Sequence, residues 1–577
     1  MRKGKKPNYL MLIILIAIVI SVIITVLIAW KLVAKKADKQ ENYPTEMENA
    51  LLENAYILSS NSEKVQYLYQ NEEYTMDGNL NEEYAGVADI EIQAGRIHKI
   101  YAKPDAVKGI IESYTDEQME IQDYGILSKR ENVPVYFCDA ENVAQGTLQD
   151  LIVGTSKVKY VMANNVIEAI LVDENTVAEN IRIVIKNGNE VSYPSLMVTA
   201  SEPFQISGEN LLEEMPEGSI LDVGQYMREH QMQRIKLLGK TNGISLCDAS
   251  GNPTGIAYPD TLFCLNVDDQ IVLVNEVPIE EYVKRVLPSE MPAKFEKEAL
   301  KAQAVCARTY AYSQMKNGSY AMYGANIDNT TAFQVYNTVA GTEKTNQAVE
   351  ETKGQIVSCE GQLITCYYYS TNPGTTEDME VWKTDENPAE QVADPPYLHK
   401  TYETDENPGS LETDQAIAAF IEQAPNAYDT LSPFYRWTAK MNLDKLTDAE
   451  YGKVQSIQVN KRSSSGYVLE LEIQCEKGKR VLSDENDIRS YLGKGLEAVT
   501  LSNGTTRTDL SMIPSACFYV KSLEGTDYEL SGGGFGHGIG MSQYGAASMA
   551  EQGKTYDQII TFYYKDVIIT DIKNITY

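Results

Sequence analysis

Positive charge is scarce in this chain. Its 577 residues carry 50 Lys and Arg against 82 Asp and Glu, and seven of the 50 fall in the first 36 residues, which hold no acidic side chain. The remainder has 43 basic against 82 acidic residues, a net charge of −39. Phosphate binding depends on basic neutralisation, so nucleic acid is a poor partner for such a surface, and tight binding to bulk acidic polymer is not expected either. Cysteine is sparse and scattered: none of the eight pairs in a CxxC spacing, and Cys359 and Cys366 are seven apart with no histidine beside them. That gives a zinc site little support. An even number permits disulfides outside the cytoplasm, but single cysteines inside strand-like runs read better as buried thiols. The glycine-rich stretch 532–545, half glycine, lacks the Gly-Lys-Ser/Thr ending of a phosphate loop and follows no dinucleotide-binding βαβ pattern. Phenylalanine gives way to tyrosine, 10 against 38. Tyrosine is strand-prone and stacks on sugars, which suits a β-rich protein.

What is present begins with residues 9–30, 22 positions without a charge, preceded by Arg2, Lys3, Lys5 and Lys6. The run is long enough to cross a bilayer as a helix, and Tyr9 and Trp30 stand where interfacial aromatics lie. The apolar core of a cleaved signal is shorter, about 7–15 residues. The expectation is a basic cytoplasmic flank and single-pass signal anchor over 1–36, with the rest extracytoplasmic. A linker follows over 37–54, then a β-rich accessory domain over 55–178 and a mixed α/β domain over 179–577. The expected class is therefore α+β with an N-terminal transmembrane helix.

Local patterns fill in the strands. Residues 90–92 and 97–101 flank Gln93-Ala94-Gly95, and residues 158–162 and 166–172 flank Ala163-Asn164-Asn165; both read as hairpins. Residues 181–185, 263–265 and 270–277 read as further strands, residues 356–369 as two strands around Glu360-Gly361, and residues 413–423 as a helix.

The most informative stretch is 283–310. Glu290 lies between Pro288 and Pro292. Proline restricts the residue before it and suits a helix's first turn, so one helix should end near Leu287 and another begin near Pro292. The second has Phe295, Ala299, Ala302, Cys306, Thr309 and Ser313 on one face, mostly small, so that a neighbour can pack close. Taken alone, Glu290 is a carboxylate that stabilises a helix start.

It does not stand alone. Pro288-Ser289-Glu290-Met291-Pro292, followed by residues 298–309 (EALKAQAVCART), resembles the signature of the stage II sporulation protein D family, the SpoIID/LytB domain. Two later stretches resemble the family in the same order: Asp328 to Tyr336, ending Gln334-Val335-Tyr336, and residues 532–546 with His537 amid glycines and Met541-Ser542-Gln543 after it. The resemblance covers roughly residues 180–570. It implies a lytic transglycosylase acting on peptidoglycan glycan strands, with Glu290 as catalytic acid. Substrate-binding roles are implied for Ser289, Arg308, Gln334, Tyr336, Ser370, His537, Ser542 and Gln543. Some family members hold a metal with cysteine and histidine in two loops; this chain has Phe333 and Tyr369 there, and Asn372-Pro373 in place of Ser-Gly, so no metal or other cofactor is expected. The family also includes amidase enhancers. The alternative is therefore a non-catalytic wall-binding or amidase-stimulating module. Expected partners are glycan strands, the membrane through the N-terminal helix, and other cell-wall hydrolases.

Overall fold

A computed structural model describes residues 49–575, apart from 62, 79–82, 105, 139–141, 155–157, 174–176, 210, 338, 383–394 and 523–524. Strands dominate it, with eight α-helices among the described residues, so the α+β expectation gives way to a β-rich fold. The expected transmembrane helix finds no counterpart: no helix among the described residues is long and apolar enough to cross a membrane, and residues 9–30 lie outside them. Residues 49–54, expected in a linker, open the strand Asn49–Ser60.

The chain divides into two compact units. One takes the chain through Val107, with Asn132–Gly146 and Lys159–Leu171; the other takes Lys108–Glu131, Thr147–Val158 and Val172–Tyr577. Residues 55–178 thus contribute to both. The first unit contains a five-stranded antiparallel sheet in which Gly86–Gln93 and Arg96–Ala102 form the hairpin predicted from Ala94-Gly95, both of which take positive φ. Alternate side chains such as Ile57, Val65, Tyr67, Ile90 and Ile92 are buried on one face, as period-two alternation requires.

The second unit carries the site. Strand β1 (Asn180–Val184) pairs antiparallel with strand β2 (Gln270–Pro278), which has five consecutive buried residues from Ile271 to Asn275. Strand β2 runs directly into helix α1 (Ile279–Glu290), whose buried face is Ile279, Tyr282, Val283, Val286 and Leu287. Helix α1 does not stop before Pro288. The proline falls in its last turn, and the Met291 N–H still closes on the Leu287 carbonyl at 2.9 Å. Pro288 has no N–H to give the Lys284 carbonyl, so the helix forgoes that one ladder bond and continues past it.

Helix α2 (Lys297–Gln314) starts five residues later than Pro292 and is buried nearly all round, not only on the stripe expected. Alanines at 299, 302, 304, 307 and 311 let α1, the helices Glu343–Glu351 and Tyr556–Tyr563, and the strand Gln355–Cys359 approach it from different sides. Lys297 and Lys301 mark its wet edge, where both pair with Glu351. All eight cysteines are free thiols, six of them buried.

Candidate functional site

Motifs as far apart as Glu290 and Gln543 meet in one cleft of about 540 Å³. Glu290, the last residue of α1, lines it together with Tyr310 of α2, the loop residues Thr331, Ala332, Phe333 and Val335, Tyr367 to Ser370, Trp382, Arg489, Phe535 to His537, and Gln543. Strand β3 (Tyr368–Tyr369) pairs in parallel with strand β4 (Met541–Ser542), placing Tyr369 opposite Ser542. Helix α3 (Gln543–Glu551) follows at once, so the glycine-rich stretch and the tyrosine run are bound side by side.

The glycines have a steric reason. Gly540 has φ +78°, and a Cβ there would lie 2.1 Å from the Tyr367 carbonyl oxygen; at Gly536, with φ +118°, it would lie 2.7 Å from the Tyr369 Cβ. No other residue lets the two segments come this close.

Glu290 is half-buried and accepts a hydrogen bond from the Val335 backbone N–H at 3.0 Å. Burial holds its carboxyl above the ordinary range, against the lowering effect of hydrogen bonds from Val335, Gln543 and Tyr368. Standing at the C-terminal end of α1 rather than at a helix start, it also faces the end of the dipole that disfavours an anion. A short relay holds Tyr368 in place: the Tyr282 hydroxyl donates to Gln334 Oε1 at 3.0 Å, and Gln334 Nε2 donates to the Tyr368 hydroxyl at 2.9 Å.

His537 sits among Tyr369, Trp382 and Tyr367, with ring centroids 5.4, 5.1 and 6.4 Å away. Its Nδ1 accepts from the Ile539 N–H and its Nε2 faces the Tyr368 carbonyl, both at 3.1 Å. That fixes the neutral Nε2–H tautomer. Burial, then the charge of Arg489, lowers its pKa to about 3. Both ring nitrogens are therefore committed to backbone, and the residue offers the cleft an aromatic surface.

Of the residues expected to bind substrate, Ser370, His537 and Gln543 line the cleft with Glu290, and the other five do not. Arg308 is fully buried in a bidentate pair with Glu280, at 2.9 and 2.6 Å, tying α2 to the start of α1. Tyr336 is a core residue stacked on Tyr282, its hydroxyl donating to Asn275 at 2.8 Å. Gln334 is buried in the relay just described. Ser542 caps α3 and donates to Asp429 at 2.5 Å. The Ser289 hydroxyl lies 3.0 Å from the Arg285 carbonyl, within its own helix. Sequence reasoning did not assign Tyr310, Tyr367, Tyr368, Arg489 or Phe535 to the cleft; the tyrosine run beside Ser370 is the one signal that pointed there.

Phe333 and Tyr369 both line the cleft and offer neither sulfur nor imidazole. Among the described residues, the group with three convergent potential ligands is Glu377, Asp378 and Glu380, and Lys400 Nζ sits among them at 3.0, 3.8 and 2.6 Å. A cation already supplied by the chain answers those carboxylates.

Comparison with known proteins places these elements. Residues 267–358 match a family described as Stage II sporulation protein, and residues 378–540 match a domain of unknown function (DUF8618). The chain is 30% identical over 316 residues to Stage II sporulation protein D of Bacillus subtilis (strain 168), covering 52% of this chain and 76% of that one. It is 33% identical over 332 residues to an uncharacterized protein of Brachyspira hyodysenteriae (strain ATCC 49526 / WA1), covering 56% and 74%. It is 32% identical over 310 residues to the amidase enhancer of Bacillus subtilis (strain 168), where it covers 50% of this chain but spans only 40% of the relative.

Proposed function

We propose, from the premise that this chain belongs to the stage II sporulation protein D family, that it is a lytic transglycosylase of peptidoglycan glycan strands, acting outside the cytoplasm. The family gives the coarser part, a cell-wall-related role. The observation that carries the finer part is that Glu290 is the one carboxyl among the described residues lining an aromatic-walled cleft, and that burial favours its protonated form.

The chemistry follows from that count. A hydrolase needs a second carboxylate to activate water or to attack the sugar. A transglycosylase does not, because the sugar's own C6 hydroxyl is the nucleophile. Protonated Glu290 gives its proton to the glycosidic oxygen as the C1–O bond breaks. The resulting carboxylate takes the C6 hydroxyl proton as that oxygen closes on C1, forming a 1,6-anhydro ring and restoring the acid. Tyr368 and Gln543 hold the carboxyl through both halves. The faces of Tyr310, Tyr367 and Trp382 suit sugar rings, which stack on aromatic surfaces.

Purified sacculi, intact and stripped of stem peptides, are the substrates for the test. Muropeptide analysis after incubation with the protein is expected to show 1,6-anhydro ends. Reducing ends would mean hydrolysis and would remove the single-carboxyl mechanism. The relative named as an amidase enhancer supports a second reading, a module that stimulates another hydrolase without cutting glycan. Unchanged glycan together with faster amidase turnover would favour it.

A pKa near 3 keeps His537 neutral throughout the range in which histidines ordinarily titrate. His537→Ala is therefore expected to weaken glycan binding through lost packing while leaving the shape of the pH–rate profile between about pH 5 and 8 unchanged. A limb near neutrality that disappears in the variant would give His537 an acid–base role instead.

A further inference from the structure

Behind the cleft wall, outside the residues that line it, two carboxyl groups meet in the core. Asp429 and Glu403 are both buried, and neither has a salt-bridge partner among the described residues. Asp429 Oδ1 collects three donors: the Thr371 hydroxyl, the Ser542 hydroxyl at 2.5 Å and the Asn372 backbone N–H at 3.0 Å. Glu403 Oε1 accepts from Asn372 Nδ2 at 2.6 Å. The second oxygens, Asp429 Oδ2 and Glu403 Oε2, and the Tyr563 hydroxyl are buried without a hydrogen-bond partner among the described residues. Two carboxyls can share a hydrogen bond only with a proton between them. Both of these oxygens and the Tyr563 hydroxyl converge on Gly545 in the first turn of α3, where a Cβ would lie 2.7, 3.1 and 2.1 Å from them.

We propose that Glu403 and Asp429 share one proton and act as a positioning pair that sets the Ser370 and Gln543 side of the cleft against Glu290. The linkage is short. Ser542 immediately precedes Gln543, whose side chain bonds Glu290, and Thr371 and Asn372 immediately follow Ser370. One carboxylate oxygen thus ties both segments. Loss of the shared proton would leave two like charges in a desolvated site with no cation beside them. The titratable groups facing the pair are Tyr369, Tyr435 and Tyr563, all held by burial above the usual tyrosine value, so none supplies a compensating charge.

The inference rests on the reading of the cleft as a glycan-cleaving site, and the test separates the two. Glu403→Gln in the full chain keeps the geometry: its carbonyl can accept from Asn372, and its amide can donate to Asp429 Oδ2 with no proton to lose. Burial raises the folded-state values of both carboxyls, so wild-type stability should fall as pH rises from the ordinary carboxylate range through those elevated values. That loss should be smaller in Glu403→Gln. The variant should also keep glycan cleavage within a few-fold of wild type. Asp429→Ala removes the tie and should lower kcat by roughly 10²-fold, the cost of a small misplacement. Infrared difference spectra need no activity. The wild-type-minus-Glu403→Gln difference at neutral pH should contain a protonated-carboxyl band. Absence of that band from the difference, or an unchanged dependence of melting on pH, would each overturn the pair. If wild type cleaves no glycan, the functional reading falls, while melting and infrared still decide the inference. If Asp429→Ala does not fold, Glu403→Gln carries the test.

Discussion

Glu290→Gln is expected to lower glycan cleavage by about 10²–10⁴-fold while leaving glycan affinity nearly intact, the usual contribution of a general acid–base group. The substitution preserves shape. A glutamine carbonyl can still accept the Val335 N–H, and the neighbouring Tyr368 and Gln543 side chains stay in place. What is lost is the proton that, in the proposed mechanism, leaves for the glycosidic oxygen and returns from the C6 hydroxyl. The loss should therefore fall on kcat rather than KM. The sign of the pH effect follows from burial: Glu290 stays protonated above the ordinary carboxylate range, so wild-type turnover should decline as pH rises through its elevated value. Time courses of anhydro-product release for both proteins provide the check. A variant as fast as wild type would remove Glu290 from the chemistry. Two inactive proteins that both bind glycan or both stimulate an amidase would favour the non-catalytic reading.

Gly540→Ala should produce the largest loss of stability. A non-glycine residue at left-handed φ costs roughly 1–2 kcal/mol by itself. At Gly540 the added methyl would also meet the Tyr367 carbonyl at 2.1 Å, and that oxygen already accepts from the Met541 N–H at 3.1 Å and the Tyr564 hydroxyl at 2.5 Å. Backbone cannot rotate out of the way, so a total on the order of 4 kcal/mol is expected. Gly553→Ala is the matched control, with φ +85° and nothing within 4 Å of the new methyl. Denaturant midpoints compared at equal slope would separate the two. Equal losses would mean that the contact relaxes at little cost. A larger loss at 540 would carry Tyr367 and Tyr368 with it and deform the cleft.

Much of the fold was legible where the local rule and the tertiary outcome agree. The Ala94-Gly95 hairpin, strand β2 and the close-packed face of α2 follow from turn chemistry, an unbroken apolar run and small-residue spacing. The meeting of Glu290, Ser370, His537 and Gln543 was legible only through their motifs, since nothing local brings residues 290 and 543 together. Pro288 misled because a proline removes one ladder bond without having to end the helix, and the Met291 N–H still bonds the Leu287 carbonyl beyond it. Arg308, Tyr336 and Ser542 misled for another reason. A polar residue inside a functional motif can as well point inward, and direction is settled by partners such as Glu280, Asn275 and Asp429 that lie 28 to 113 positions away. The eight-cysteine pattern was better behaved: scattered thiols in apolar surroundings remain thiols.

The position of Trp382 makes the cleft its own optical reporter. Its indole lies 5.0 Å from the Tyr367 ring and 5.1 Å from His537, on the wall where a ligand would settle. The chain has three tryptophans. Trp437 is buried with its indole N–H committed to the Gly534 carbonyl, so its emission has little reason to respond to occupancy. A ligand that dries the Trp382 ring should shift its fluorescence to shorter wavelength, and the amplitude of that shift would give an affinity without a label, even for a variant that no longer turns substrate over.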